Sequence, residues 1–132
     1  MIPMMATGPR KKRILVIDDD CAIRLMLCET LRDCGYEVLT AANGNLGLES
    51  IRIDGTPDLV ITDIIMPHKE GLETIRDIRL LHPSIRVIAM SGGGRHPIGD
   101  VLKMADKLGS DLSVAKPIDM FFLENAVKAL VG

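Results

Sequence analysis

The chain has 132 residues, 47% hydrophobic and 26% charged, the size and composition of one ordinary globular domain rather than of a disordered segment. Aromatic residues make up 2% (Tyr36, Phe121 and Phe122), so the core must be aliphatic, and a stacking surface for single-stranded nucleic acid is disfavoured. The net charge of −2 is uneven: Arg10, Lys11, Lys12 and Arg13 are basic, and the remainder, at −6, argues against DNA binding by the folded domain.

Apolar runs such as Ile14–Ile17 and Val87–Met90 are four residues long, far below the about 18 that a membrane helix needs. The weakly apolar Met1–Thr7 precedes its basic cluster, the reverse of a secretory signal. These features point to a cytoplasmic protein, with residues 1–12 as a flexible basic tail and 13–132 as one domain.

Ile14 to Ile17 is a continuous aliphatic run that ends in Asp18-Asp19-Asp20, as in a strand buried on both faces of a parallel sheet. Over 21–34, Ile23, Leu27 and Leu31 recur at spacing four, an amphipathic helix with Asp20 at its start and Gly35 just past its end. Tyr36 to Ala41 alternates as a second strand, and Asn43-Gly44 turns the chain into a second helix near 45–53. Asp58 to Thr62 is a third strand closed by Asp63; Met66-Pro67 breaks the chain. Leu72, Ile75, Ile78 and Arg79 fit a third helix, stopped before Pro83.

A fourth strand, Arg86 to Met90, runs into Ser91 and the glycines Gly92 to Gly94. A fourth helix covers about Ile98 to Leu108, ending at Gly109. Leu112 to Ala115 is a short fifth strand before Lys116-Pro117, and a last helix runs from about Met120 to Leu130 with Asp119 as its N-cap. Five alternating strands and helices specify an α/β domain, one five-stranded parallel sheet with helices on both faces. In such doubly wound sheets the functional site lies outside the carboxyl ends of the strands.

Those ends carry Asp18, Asp19 and Asp20 on the first strand, Asp63 on the third, Ser91 on the fourth and Lys116 on the fifth. Two carboxylates about 4 Å apart repel by about 4 kcal/mol at an effective dielectric near 20, so the acidic group requires a proton, a cation or Lys116 beside it. Oxygen ligands without thiol or imidazole point to Mg²⁺ or Mn²⁺ rather than zinc. Ser91, amides at Gly92 and after Asp63, and Lys116 suit a phosphoryl group, and an aspartate can form an acyl phosphate. Singly, Asp63 reads as an ordinary strand-closing residue; the joint arrangement over four strand ends favours phosphoryl transfer.

These residues resemble the receiver domain of two-component response regulators over about 13–131. The resemblance is carried by ILVIDDD at 14–20, DLVITDIIMP at 58–67, VIAMSG at 87–92 and AKP at 115–117, with GLE at 71–73 and the spacing from Gly109 to Lys116. It implies a flavodoxin-like (βα)5 fold with strand order 2-1-3-4-5. It makes Asp63 the phosphoacceptor, with Mg²⁺ held by Asp18, Asp19, Asp63 and the backbone carbonyl of Ile65. Ser91 becomes the hydroxyl that follows the phosphoryl group and Lys116 its cationic partner. It further implies a histidine kinase or phosphotransfer protein as donor, a cis Lys116-Pro117 bond, signalling by protein contact rather than turnover of a substrate, and a homodimer surface on the fourth helix, fifth strand and fifth helix.

Two departures bear on output. Ser113 stands where the family carries an aromatic ring that couples to the hydroxyl residue, so another device must report phosphorylation, with Ser91 and Ser113 as the switch positions. Ile65 and Gly93 stand where some relatives place polar side chains that orient water, which implies slow hydrolysis, and Gly92–Gly94 implies a mobile loop and fourth helix. Cys21, Cys28 and Cys34 read as reduced, buried or half-buried thiols on one helix. Met26, Met66, Met90 and Met104 read as packing, and His68, His82 and His96 as solvated loop residues.

Two other readings compete. One is a receiver-like binding module not controlled by phosphorylation, for which Ser113 is the sole support. The other is an aspartate-nucleophile phosphatase with Asp18 as nucleophile and Asp20 as acid, which lacks the further acidic pair expected after the lysine.

Overall fold

A computed structural model describes residues 11–64, 71–92 and 98–132, without the side chains of 98–102. Strand and helix alternate along it: β1 (Arg13–Ile17), α1 (Cys21–Asp33), β2 (Glu37–Ala41), α2 (Gly44–Asp54), β3 (Leu59–Asp63), α3 (Gly71–Leu81), β4 (Arg86–Ser91), α4 (Ile98–Leu108), β5 (Leu112–Ala115) and α5 (Met120–Val131). The five strands are parallel and ordered β2-β1-β3-β4-β5, the doubly wound arrangement expected from the resemblance. The tail expected over 1–12 falls largely outside the described residues, as do Ile65, Met66, His68, Gly93, Gly94 and His96.

The strand pleat divides the core into two layers. Ile14 and Val16 of β1, with Leu59 and Ile61 of β3, face Leu27, Leu31, Leu123 and Val127 of α1 and α5. Leu15 and Ile17, with Val60 of β3, face Ile51, Ile75, Ile78 and Ala105 of α2, α3 and α4. Covered on both sides, β3 is buried at every residue, which is why its sequence is an unbroken apolar run up to Thr62. Fully burying each such aliphatic side chain contributes about 1.5–3 kcal/mol.

The helix caps follow from the sequence. Asp20 accepts from the amides of Ala22 (2.9 Å) and Ile23 (3.4 Å) at the start of α1, Asn43 from Leu46 (2.9 Å) at α2, and Asp119 from Phe122 (3.1 Å) at α5. Gly35 (φ 97°) and Gly109 (φ 113°) take the left-handed conformation that ends α1 and α4. Boundaries differ from expectation by one or two residues: Tyr36 precedes β2, α2 already begins at Gly44, and β3 and β4 extend to Asp63 and Ser91.

Two packing expectations are corrected. Met26 and Met104 are exposed, at 40% and 51%, because they lie on the outer faces of α1 and α4; Met90, on central β4, is fully buried. Of the cysteines, Cys28 is buried and Cys34 half-buried, but Cys21 is exposed at the first turn of α1. Among the described residues, no helix is long and apolar enough to cross a membrane.

Candidate functional site

The strand order places β1 and β3 side by side, with Ile17 in register with Thr62, so Asp18 and Asp63 emerge together. Asp18, Asp19 and Asp63 each offer a carboxylate oxygen, and these oxygens all lie within 4.8 Å of one another. Asp18 is fully buried and Asp63 nearly so, whereas Asp19 is exposed, leaving the cluster open on one side. Its donor set is oxygen alone, with neither thiol nor imidazole, which fits Mg²⁺ or another hard cation.

Lys116 enters from the end of β5. Its Nζ donates to Asp18 Oδ2 at 2.9 Å and stands 3.4 Å from Asp63 Oδ2. Burial disfavours the charged lysine, but its bond to Asp18 and the charge of Asp63 more than offset this and hold its pKa above the usual range. Asp63 is pushed up to about 6 by burial first; Lys116 pulls the other way, and Asp18 and Asp19 push further up. One ammonium among three carboxylates leaves an uncompensated negative charge, which a divalent cation relieves.

Asp18 is held at a second point, where its Oδ1 accepts from the Asp20 amide at 2.9 Å. Its backbone carbonyl accepts from Arg24 Nη1 at 2.7 Å. Two glycines make room for the site. A Cβ on Gly71 would meet the Asp63 carbonyl oxygen at 2.0 Å, and one on Gly92 would meet Lys116 Cβ at 2.2 Å. The Lys116-Pro117 bond is cis, as expected.

Ser91 ends β4, in register with Ala115 beside Lys116. Its Oγ is buried and has no hydrogen-bond partner among the described residues. A buried hydroxyl left unpaired costs about 1–3 kcal/mol, and such a group at the rim of a site fits an incoming oxygen ligand. Of the amides after Asp63, that of Ile64 donates to the Met90 carbonyl at 2.9 Å, and those of 65–70 lie outside the described residues. The carbonyl of Ile65 lies outside the described residues.

Ser113 lies away from the acidic cluster and is tied to α4. Its Oγ donates to Asp106 Oδ1 at 2.7 Å; Ser110 Oγ reaches the same oxygen at 3.1 Å and lies 3.0 Å from Ser113 Oγ. Asp106, Arg24 and the steric role of Gly92 toward Lys116 escaped the sequence reading. Arg24 carried a weak signal: it stands four residues after the helix cap Asp20, on the same side of the first turn.

The family model of the response regulator receiver domain matches residues 14–128, and the chain belongs to this family. It is thus a receiver domain of the kind found in two-component response regulators, a class built for phosphorylation-based signalling and for Mg²⁺ binding at an acidic pocket. It is 33% identical over 117 residues to sporulation initiation phosphotransferase F of Bacillus subtilis, spanning 89% of this chain and 91% of that protein. It is also 36% identical over 115 residues to the DNA-binding transcriptional regulator NtrC of Azospirillum brasilense, spanning 87% of this chain and 23% of that protein. The structure of a CheY-like response regulator receiver domain protein from Methanospirillum hungatei superposes with a TM-score of 0.83 at 30% identity, over 91% of this chain and 93% of that one.

Proposed function

We propose that this chain is a phosphorylation-controlled switch in which Asp63 is the phosphoacceptor. Supporting this reading above all is the convergence of Asp18, Asp19, Asp63 and Lys116 beside the unpaired hydroxyl of Ser91. In the reaction, a carboxylate oxygen of Asp63 attacks the phosphorus of a phosphohistidine or a small acyl phosphate. The new P–O bond forms as the P–N or P–O bond to the donor breaks, and the leaving group departs with the electron pair. Lys116 offsets charge on the transferring group, and Ser91 Oγ–H donates to one of its oxygens.

Asp18, Asp19 and Asp63 would hold Mg²⁺, with the carbonyl of Ile65 as a further ligand. The cation supplies neutralisation of charge on both the carboxylates and the phosphoryl oxygens. Donors of the chemistry required are a sensor histidine kinase or a histidine phosphotransfer protein. The chain acts on its own aspartate and turns over no external substrate, and its output is protein contact in the cytoplasm. Residues 13–132 form the receiver unit, preceded by the basic tail.

Intact mass after incubation with Mg²⁺ and acetyl phosphate tests this. One added phosphoryl group in wild type, absent in Asp63→Asn and after chelation, is the expected result. No adduct under any condition, with a folded protein and a histidine kinase also tried, overturns it in favour of a binding module.

A further inference from the structure

Arg24 has no part in the reaction as written above. It sits in the first turn of α1, where its amide donates to the Asp20 carbonyl at 3.0 Å. Side chains on a helix lean toward its N-terminus, and Arg24 follows this, reaching back so that Nη1 donates to the Asp18 carbonyl at 2.7 Å. Asp18 is the first residue beyond β1; its amide still pairs with the Ala41 carbonyl at 3.1 Å, while its own carbonyl is taken by Arg24.

The two acidic residues of this turn are held differently. The Asp18 carboxylate is fixed by the Asp20 amide and by Lys116. The Asp19 carboxylate is exposed, and among the described residues it accepts no hydrogen bond. Its place beside Asp18 and Asp63 therefore depends on the backbone of residues 18–20. Arg24 is the one side chain among the described residues that donates to a carbonyl of that turn.

We infer that Arg24 is a positioning residue for the cation site: by holding the Asp18 carbonyl it fixes where Asp19 presents its carboxylate, and so sets the affinity for Mg²⁺. This rests on the reading that Asp18, Asp19 and Asp63 hold the cation. Charge and geometry make opposite demands here, which gives the inference a sign. Removing a nearby positive charge alone tightens Mg²⁺ binding. Losing the anchor of a ligand-bearing turn weakens it, as happens when groups that orient metal ligands are removed.

Calorimetric titration of the unphosphorylated protein with Mg²⁺, without any phosphoryl donor, decides the matter. Arg24→Ala weakens Mg²⁺ binding about 10-fold, and Arg24→Lys, which keeps a donor, recovers most of the loss. In an Asp19→Asn background, Arg24→Ala changes the affinity by less than about 2-fold, because both substitutions act on the same ligand. Thermal melts confirm folding, and Arg24→Met, long but without a donor, serves if Arg24→Ala does not fold. Unchanged or tighter binding in Arg24→Ala, or an equal loss in the Asp19→Asn background, overturns the inference. Wild type that takes up no Mg²⁺, or Asp18→Asn that binds it as wild type does, overturns instead the cation site on which the inference rests.

Discussion

The ammonium of Lys116 lies closer to Asp18 than to Asp63, at 2.9 Å against 3.4 Å. Fully buried Asp18 takes the stronger contact, and Asp63 is left with burial and two acidic neighbours only partly offset. That asymmetry leaves the Asp63 carboxylate only partly offset, which favours a cation beside it.

A pH dependence follows. Asp63 is raised from 3.8 to about 6, chiefly by burial, so between these values the folded protein holds a proton that the unfolded chain has lost. The stability of the metal-free protein therefore falls as pH rises from about 4 to about 6, by up to about 3 kcal/mol from this group. Asp63→Asn removes that slope, and urea denaturation at several pH values should find it more stable than wild type at pH 7, with Mg²⁺ closing the gap. Parallel pH profiles for the two proteins would contradict this.

Ser91→Ala separates stability from signalling. Because Ser91 Oγ has no partner among the described residues, its removal should leave stability unchanged or raise it by up to about 1 kcal/mol. The response of amide resonances in α4 and β5 to phosphorylation should shrink in the same variant. A loss of more than about 2 kcal/mol would mean that the hydroxyl is already bonded in the resting protein.

The two glycines at the site fail differently when given a side chain. At Gly71 a Cβ meets backbone, the Asp63 carbonyl at 2.0 Å and Ile64 Cα at 2.6 Å, so Gly71→Ala should cost about 3 kcal/mol in chemical denaturation. At Gly92 it meets first the Lys116 Cβ at 2.2 Å, an atom fixed to the backbone just after β5, so Gly92→Ala should both cost stability and lower the yield of phosphorylation as Lys116 is displaced.

Ser113 ties β5 to α4 through Asp106. Ser113→Ala should cost about 1 kcal/mol and speed hydrogen exchange in the last turn of α4. Exchange at wild-type rates there would show that Ser110 alone carries the tie.

Much of this was legible in the chain. Ile14–Ile17 and Leu59–Ile61 are apolar without alternation because helices cover both faces of β1 and β3, and that pattern alone places Asp18 and Asp63 on one rim. Asp20 and Asp119 announced their caps through the ordinary chemistry of helix starts. What escaped were contacts between elements that share no local pattern. Ser113 gave no hint of Asp106 seven residues earlier, since their bond exists only once α4 packs beside β5. Met26 and Met104 read as packing because hydrophobicity does not say which face of a helix is turned outward.

The central claim, that Asp63 carries the phosphoryl group, is tested most directly by locating it. Phosphorylated wild type treated with borohydride, which reduces an acyl phosphate to an alcohol, should on peptide mapping show residue 63 converted to homoserine, with Asp18, Asp19 and Asp20 intact. Reduction at Asp18 instead, with Asp63 unmodified, would contradict the account and return the chain to the reading in which the first strand supplies the nucleophile.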